Sequence, residues 1–168
     1  MARDDEDTAI NNDVHALLPI PVAAQSCFVR NYSDDHLQAH PGHQVAQIIA
    51  LHTPGDVETK EDYDIRIRFR DDKREFAATT YCEDIDGTTT CMIECDGGVV
   101  LPSIDQYGQL RLSTEYLRAK YAGVARHAAG CAEPVTRSIA DVSPSGEAVP
   151  TLFLMHPDKL HFCDWSRR

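Results

Sequence analysis

The sequence has no long hydrophobic run and no excess of basic residues. Within its 168 residues, no apolar stretch approaches the ~20 residues that a membrane-spanning helix needs. Lysine and arginine number 16 against 27 aspartates and glutamates, which gives a formal net charge of -11. A chain with this balance is poorly suited to neutralising phosphates. The sequence therefore predicts neither membrane insertion nor binding to nucleic acid or anionic membrane surfaces.

The sequence also lacks the motifs that mark catalytic nucleophiles and phosphate sites. It has no Gly-x-Ser-x-Gly turn, no glycine-rich phosphate loop and no dinucleotide fingerprint. Residues 84–87 have the order of half a calcium loop. Aligning Gly87 with the sixth loop position, however, puts Cys82 and Ile93 where carboxylate ligands belong. An Asp-Gly hairpin turn explains this stretch. Because the motifs of nucleophiles and phosphate sites are missing, we predict no catalytic residues and favour a non-enzymatic protein.

Six cysteines are present, which is more than an intracellular chain of this length usually keeps. Zinc sites gather cysteines in close pairs, and the sequence contains no Cys-x-x-Cys. We therefore expect a disulfide framework, with Trp165 covering a disulfide or one end of the fold. The pairing we favour joins the chain ends and staples a hairpin: Cys27 with Cys163, Cys82 with Cys91, and Cys95 with Cys131.

A disulfide framework indicates the periplasm or the cell exterior, yet the N-terminus does not have the composition of a secretory signal. MARDDEDTAINND is acidic where a signal peptide is basic, and two prolines interrupt HALLPIPVAAQS after it. We expect that an export signal has been removed, although a cytosolic protein with six reduced thiols is the alternative. The expected organisation is a flexible leader over residues 1–24, one domain over residues 25–165 and a tail over residues 166–168.

Alternating apolar and charged residues predict a mainly β fold. Tyr63–Arg70 alternates without exception, and Phe76–Cys82 returns with its apolar residues on one face, so residues 63–82 form a predicted hairpin. Ser33–His40 begins with a good helix cap and ends at Pro41-Gly42, which predicts a short helix. Further strands are expected over residues 45–51, 89–95, 99–104, 109–112 and 135–142, and a hairpin over residues 152–163.

Residues 113–130 have high helix propensity and a possible cap at Ser113. Their apolar positions recur at helical spacing, which predicts a helix; the alternative extends the preceding strand through Tyr116. The whole pattern predicts a single-domain antiparallel β-barrel, or a sandwich, of about seven to eight short strands with one or two short helices.

Three histidines form the densest polar cluster. His36 and His40 are four residues apart on the predicted helix and His43 follows shortly, so their imidazoles could hold a divalent metal such as zinc. The alternative is a set of surface histidines beside a chain turn, with no cofactor.

Three arginines form a basic stripe on one predicted strand. Arg66, Arg68 and Arg70 point to the same side and could receive an anionic ligand or an acidic partner. The alternative is a solvated face, balanced by nearby carboxylates at positions 64, 71, 72 and 75.

Taken together, the sequence predicts an exported β-barrel without enzymatic activity that binds a small ligand or a protein partner at the barrel mouth or on an outer strand face. A barrel filled by its own side chains would remove the small-ligand version. The alternatives are a metal-binding protein that uses the histidine cluster and an interaction domain of a larger envelope assembly.

Overall fold

A computed structural model describes residues 24–56, 60–122 and 135–165 of this chain. It has a closed barrel of eight antiparallel strands, one extra strand, a short helix and a 3₁₀ turn, so the predicted mainly β, disulfide-linked barrel is confirmed. The elements, in chain order, are β1 (Ser26–Asn31), α1 (Asp34–Ala39), β2 (Val45–Thr53), β3 (Asp62–Phe69), β4 (Asp72–Ile85), β5 (Thr88–Met92), β6 (Gly98–Ile104), β7 (Leu110–Tyr121), β8 (Thr136–Ser138), β9 (Thr151–Asp158) and the 3₁₀ turn Leu160–Cys163.

Strand β7 closes the barrel. Strands β1 to β6 follow one another as antiparallel neighbours, β1 also pairs with β9, and β9 pairs with the first half of β7. On its other side β7 pairs with β6, which completes the ring. The extra strand β8 pairs with the second half of β7, where β9 has already ended. Because the ring is closed, its strands have few free edges.

The interior of the barrel is filled by side chains. In β3, Tyr63, Ile65, Ile67 and Phe69 point inward and are at most 3% exposed, while the residues between them face outward. All eight barrel strands contribute buried residues to the same core cluster. The described part of the interior is therefore a packed core, which argues against the small-ligand version of the barrel-mouth hypothesis.

Two of the expected disulfides are present. Cys82 and Cys91 lie directly opposite each other on β4 and β5, and Cys27 of β1 is bonded to Cys163 of the 3₁₀ turn. Cys95 is also disulfide-bonded, and its expected partner Cys131 lies outside the described residues.

The C-terminal turn covers part of the barrel's outer surface. The Cys27–Cys163 bond and Trp165 pack against Ile49 in a second apolar cluster, outside the ring. Trp165 covers a disulfide, as expected from the sequence. The 3₁₀ turn is thereby fastened to the outer faces of β1 and β2.

The helix predicted over residues 113–130 is wrong for its described part, because residues 110–121 form β7. In β7 every second residue points inward from Leu110 to Thr114. One extra residue then follows, and the alternation resumes with Leu117 and Ala119. The helix was predicted from apolar positions that begin with Leu117 and Tyr121, and residues four apart share one face of a strand as well as of a helix. Neighbouring strands on both sides of β7 supply its hydrogen bonds and override the local propensity. Residues 123–130 lie outside the described residues.

The C-terminal hairpin is also wrong. β9 runs through His156 and Pro157 to Asp158, where we expected a turn, because β1 pairs with this part of the strand. Residues 160–163, expected as the returning strand, form the 3₁₀ turn that the disulfide ties to β1. Of the strand expected over residues 135–142, only Thr136–Ser138 is a strand. β1 has no counterpart in the sequence-based assignment.

The short helix α1 agrees with the prediction. Its cap is Ser33, whose Oγ accepts a hydrogen bond of 3.2 Å from the His36 backbone N–H. Across residues 24–56, 60–122 and 135–165, no helix has the length and apolar character needed to cross a membrane. The expected leader and tail lie outside the described residues, apart from Ala24.

Candidate functional site

The three histidines lie together at one end of the barrel. α1 places His36 and His40 one turn apart, and their rings stack with centroids 4.2 Å from each other. His43 follows the helix and is only 6% exposed, with its ring edge-on to His36 at 5.5 Å. Sequence spacing therefore predicted correctly that the three rings share a neighbourhood.

The His43 ring also forms a hydrogen bond and a ring contact with other parts of the protein. His43 Nδ1 donates to Asp141 Oδ1 at 2.8 Å, which fastens the segment after α1 to the segment after β8. His43 Nε2 is buried and has no hydrogen-bond partner. Tyr32 packs edge-on against His43 at 4.3 Å between ring centroids, and burial raises the pKa of this phenol to about 12.

The arrangement does not support zinc binding. Metal–nitrogen bonds lie in the plane of an imidazole ring, so the stacked rings of His36 and His40 direct their lone pairs side by side rather than towards one point. His40 Nδ1 lies 2.8 Å from the His36 carbonyl oxygen and donates to it. In the part of the chain that the structure describes, no three His, Cys, Asp or Glu residues are placed to hold a metal.

The arginine stripe is not one continuous anion-binding surface. Arg66 points outward from β3, but its guanidinium lies over the Trp165 ring at 5.0 Å. It also forms ion pairs with Asp64 at 3.5 Å and Glu75 at 3.8 Å. Its charge is therefore balanced and its face is occupied, while Arg68 stays exposed on the same strand.

Arg70 lies in the turn after β3 and holds the histidine segment. Its Nη1 donates to the backbone oxygens of His40 at 3.1 Å, Pro41 at 3.4 Å and His43 at 3.2 Å. Three carbonyl groups at the end of a short helix are satisfied in this way. This arginine thus has a structural role that the strand pattern did not indicate.

One exposed apolar feature among the described residues was not anticipated from the sequence. A groove of about 630 Å³ lies on the outer face of β6, β7 and β9. In its middle row, Ser113 of β7 pairs with Leu101 of β6 on one side and with Leu152 of β9 on the other. The small serine forms the floor, and the two leucines, 42% and 46% exposed, form the walls.

A β-bulge shapes one end of this groove. Leu101 pairs with Ser113 but Val99 pairs with Tyr116, so β7 has one residue more than β6 in this interval. As a result both Glu115 and Tyr116 are exposed, whereas a regular strand would turn one of them inward. Thr114 Oγ1 donates to the Val99 carbonyl at 2.7 Å and replaces a ladder hydrogen bond.

Gly98 permits this close approach of β6 to β7. Its φ of +99° lies in a region that residues with a side chain rarely adopt. A Cβ atom at this position would lie 2.1 Å from the Tyr116 carbonyl oxygen. A glycine is therefore required where the groove begins.

Opposite charges flank the groove. Arg111 and Glu115 both face outward from β7, two residues before and two residues after Ser113. Among the described residues, neither forms an ion pair or hydrogen bond through its side chain. The groove therefore combines apolar walls with one free positive and one free negative group.

A sequence signal for the groove exists. Residues 99–101 and 152–155 are apolar at outward as well as inward positions, although antiparallel strands with one solvated face alternate. Apolar residues on both faces indicate an outer surface that contacts something else. The sequence-based assignment used these runs only as evidence for strands.

Comparisons with known proteins found no match for this chain. No protein family matches it, and no curated protein or solved structure matches it at a significant level. Function is therefore inferred from the described residues.

Proposed function

We propose that this protein is a non-enzymatic interaction module that binds the apolar surface of another protein in the groove on β6, β7 and β9. One observation carries this proposal: Val99, Leu101, Tyr116 and Leu152 are 40% to 46% exposed and surround a single groove. Contiguous apolar surface rimmed by polar groups is typical of interaction sites, because water contact there is unfavourable.

The groove suits a protein better than a small molecule. It is an open trough on the outside of a barrel whose interior is already filled. Small-molecule sites usually enclose most of the ligand's surface. Free charges at Arg111 and Glu115 flank the apolar walls, and an apolar centre with a charged rim is the usual composition of a protein interface.

We also propose an oxidising compartment, either the periplasm or the cell exterior. Two disulfides among the described residues support this, since such bonds persist mainly outside the cytosol. Alkylation without reductant, followed by mass measurement, should leave the protein unlabelled. Labelling at all six thiols would contradict this part of the proposal.

Peptide selection tests the groove directly. A phage-displayed library of random peptides is selected on the immobilised protein and then assayed on the L101D/L152D variant. We expect enriched peptides with apolar residues at alternating positions, and at least about tenfold weaker binding to the variant, because two charges would line the groove walls.

Leu160→Asp provides the matched control, because Leu160 is also half exposed but lies on the C-terminal 3₁₀ turn. Binding to this control should equal binding to the wild type. Selected peptides that bind the groove variant as tightly as the wild type would overturn the proposal, and so would a selection that enriches no peptide.

A further inference from the structure

We infer that a second copy of this chain is a partner for the groove, in a twofold dimer that packs the two outer faces of β6, β7 and β9 against each other. This inference rests on the proposed function, because it names the protein surface that the groove binds. It follows from the order of outward side chains across the three strands, which is complementary to itself.

The outward residues form three rows across β6, β7 and β9. In the middle row, the apolar walls lie on either side of Ser113. The row before it has Arg111 at its centre, and the first two rows read, in strand order, Ser103–Arg111–Leu154 and Leu101–Ser113–Leu152. In the third row the bulge sets Val99 opposite Tyr116, and Glu115 is the extra exposed residue beside Tyr116 on β7.

A twofold axis parallel to the middle row makes these rows complementary. The axis turns the strands of the second copy antiparallel, so that the middle row faces its own copy and each leucine meets its counterpart. The first row then faces the third row of the partner. Arg111 of one copy meets Glu115 of the other, twice in the dimer.

The charges select this orientation over its alternative. With the axis along the strands, Arg111 would face Arg111 of the second copy, and Glu115 would face Glu115. Like charges in direct opposition are unfavourable, whereas opposite charges at an interface rim favour association and set its orientation. Arg111 and Glu115 have no side-chain partner among the described residues of their own chain, so both are available for this contact.

The dimer should be weak. Ten outward positions around the groove, with Tyr116 included, are fewer than the ~20–30 residues a side of a standard interface. Interfaces below ~1,200 Å² in total belong to transient complexes, so association is measured from about 5 µM to about 1 mM.

Sedimentation equilibrium of the wild type and three charge variants tests the inference. R111E and E115R each place like charges in opposition and should weaken association about tenfold or more. The double variant R111E/E115R restores an opposite pair and should associate within about threefold of the wild type.

Arg68→Glu is the control, because Arg68 is an exposed arginine on β3, away from the groove. A wild type that is monomeric at about 1 mM would overturn the dimer. A double variant that associates no more tightly than the single variants would overturn it as well. Peptide selection keeps the two proposals apart. Groove-dependent peptides together with a monomeric wild type would leave the interaction module standing and remove only the second copy as its partner.

Discussion

His43 is the residue through which distant parts of the chain are held together at one end of the barrel. Its Nδ1 is bonded to Asp141, which lies 98 positions further along the chain, and its ring touches Tyr32. Arg70 fixes the same segment through the His43 carbonyl oxygen. The contacts of the histidine cluster thus connect α1 with the end of β1 and with the segment after β8.

Tyr32 gives this cluster a dependence on pH. Burial raises the pKa of the folded phenol from 10.0 to about 12. A raised pKa means that the stability contributed by Tyr32 is complete below about pH 10 and is lost as the pH rises through about 12. Tyr32→Phe keeps the ring and removes the titration. Between about pH 8 and about pH 11, its urea midpoint should therefore fall less than that of the wild type.

Tyr107→Phe is the control for this measurement, because Tyr107 is 76% exposed at the β6–β7 turn. Its midpoint should fall as much as that of the wild type. If the urea midpoint of Tyr32→Phe also falls by the wild-type amount, burial of the Tyr32 phenol does not contribute to the loss of stability at alkaline pH.

Residues with local partners were predictable from the sequence. Ser33 caps α1 three residues ahead, and Cys82 meets Cys91 across one hairpin. The partner of His43 could not be predicted, because no local pattern connects two residues that the fold brings together from 98 positions apart. Arg70 was likewise not recognised as a structural residue, because its backbone partners lie 27 to 30 positions earlier in the chain.

At the scale of elements, the contact between β6 and β7 depends most strictly on one glycine. Gly98→Ala would place a Cβ 2.1 Å from a backbone oxygen of β7 at a φ of +99°. We expect a loss of about 3 kcal/mol or more in urea unfolding, because backbone atoms on both strands would have to move.

Gly87 offers a matched comparison on the β4–β5 turn. Its φ is +80°, yet a Cβ there would meet nothing within 4 Å. Gly87→Ala should therefore cost only the backbone strain, about 1 kcal/mol. Equal losses for the two variants would contradict the tight approach of β6 to β7.

The two disulfides should differ in what they contribute. Cys27–Cys163 spans 136 positions and Cys82–Cys91 spans 9, so the chain-entropy account gives about 5 and about 2–3 kcal/mol respectively. Paired alanine variants compare them by urea unfolding of the oxidised proteins. Removal of the long-range pair should lower the free energy of unfolding more. Equal or reversed losses would show that linking the chain ends is not the larger of the two contributions to stability.

Strand β7 shows why some elements were mispredicted. Leu117 and Tyr121 are four residues apart, a spacing that places two residues on one face of a helix and also on one face of a strand. The neighbouring strands decide between the two structures, and local propensity contains no information about those neighbours. β3, by contrast, keeps its alternation from Tyr63 to Phe69, because the extra residues opposite Arg68 and Phe69 belong to β2 and β4, and it was predicted almost residue by residue.

At the scale of the whole molecule, closure of the ring separates a packed interior from an outer surface that is covered in one place and exposed in another. Inward residues of all eight barrel strands form one core, so the binding that we propose has to use the outside. Among the described residues, the C-terminal turn covers β1 and β2 on that outside, while the groove on β6, β7 and β9 is exposed. The barrel could be predicted from alternation, but the groove needed the register of three strands, of which β9 does not follow β7 directly in the chain.

The central claim is that the groove, and not the histidine cluster or the arginine stripe, is the interaction surface. The most direct measurement is a map of backbone amide chemical shifts in the ¹⁵N-labelled protein, titrated with a peptide obtained from the selection. We predict that the largest changes fall on residues 98–103, 113–116 and 151–154. Changes centred on His36–His43 or on Arg66–Arg70, with the groove unchanged, would contradict the claim.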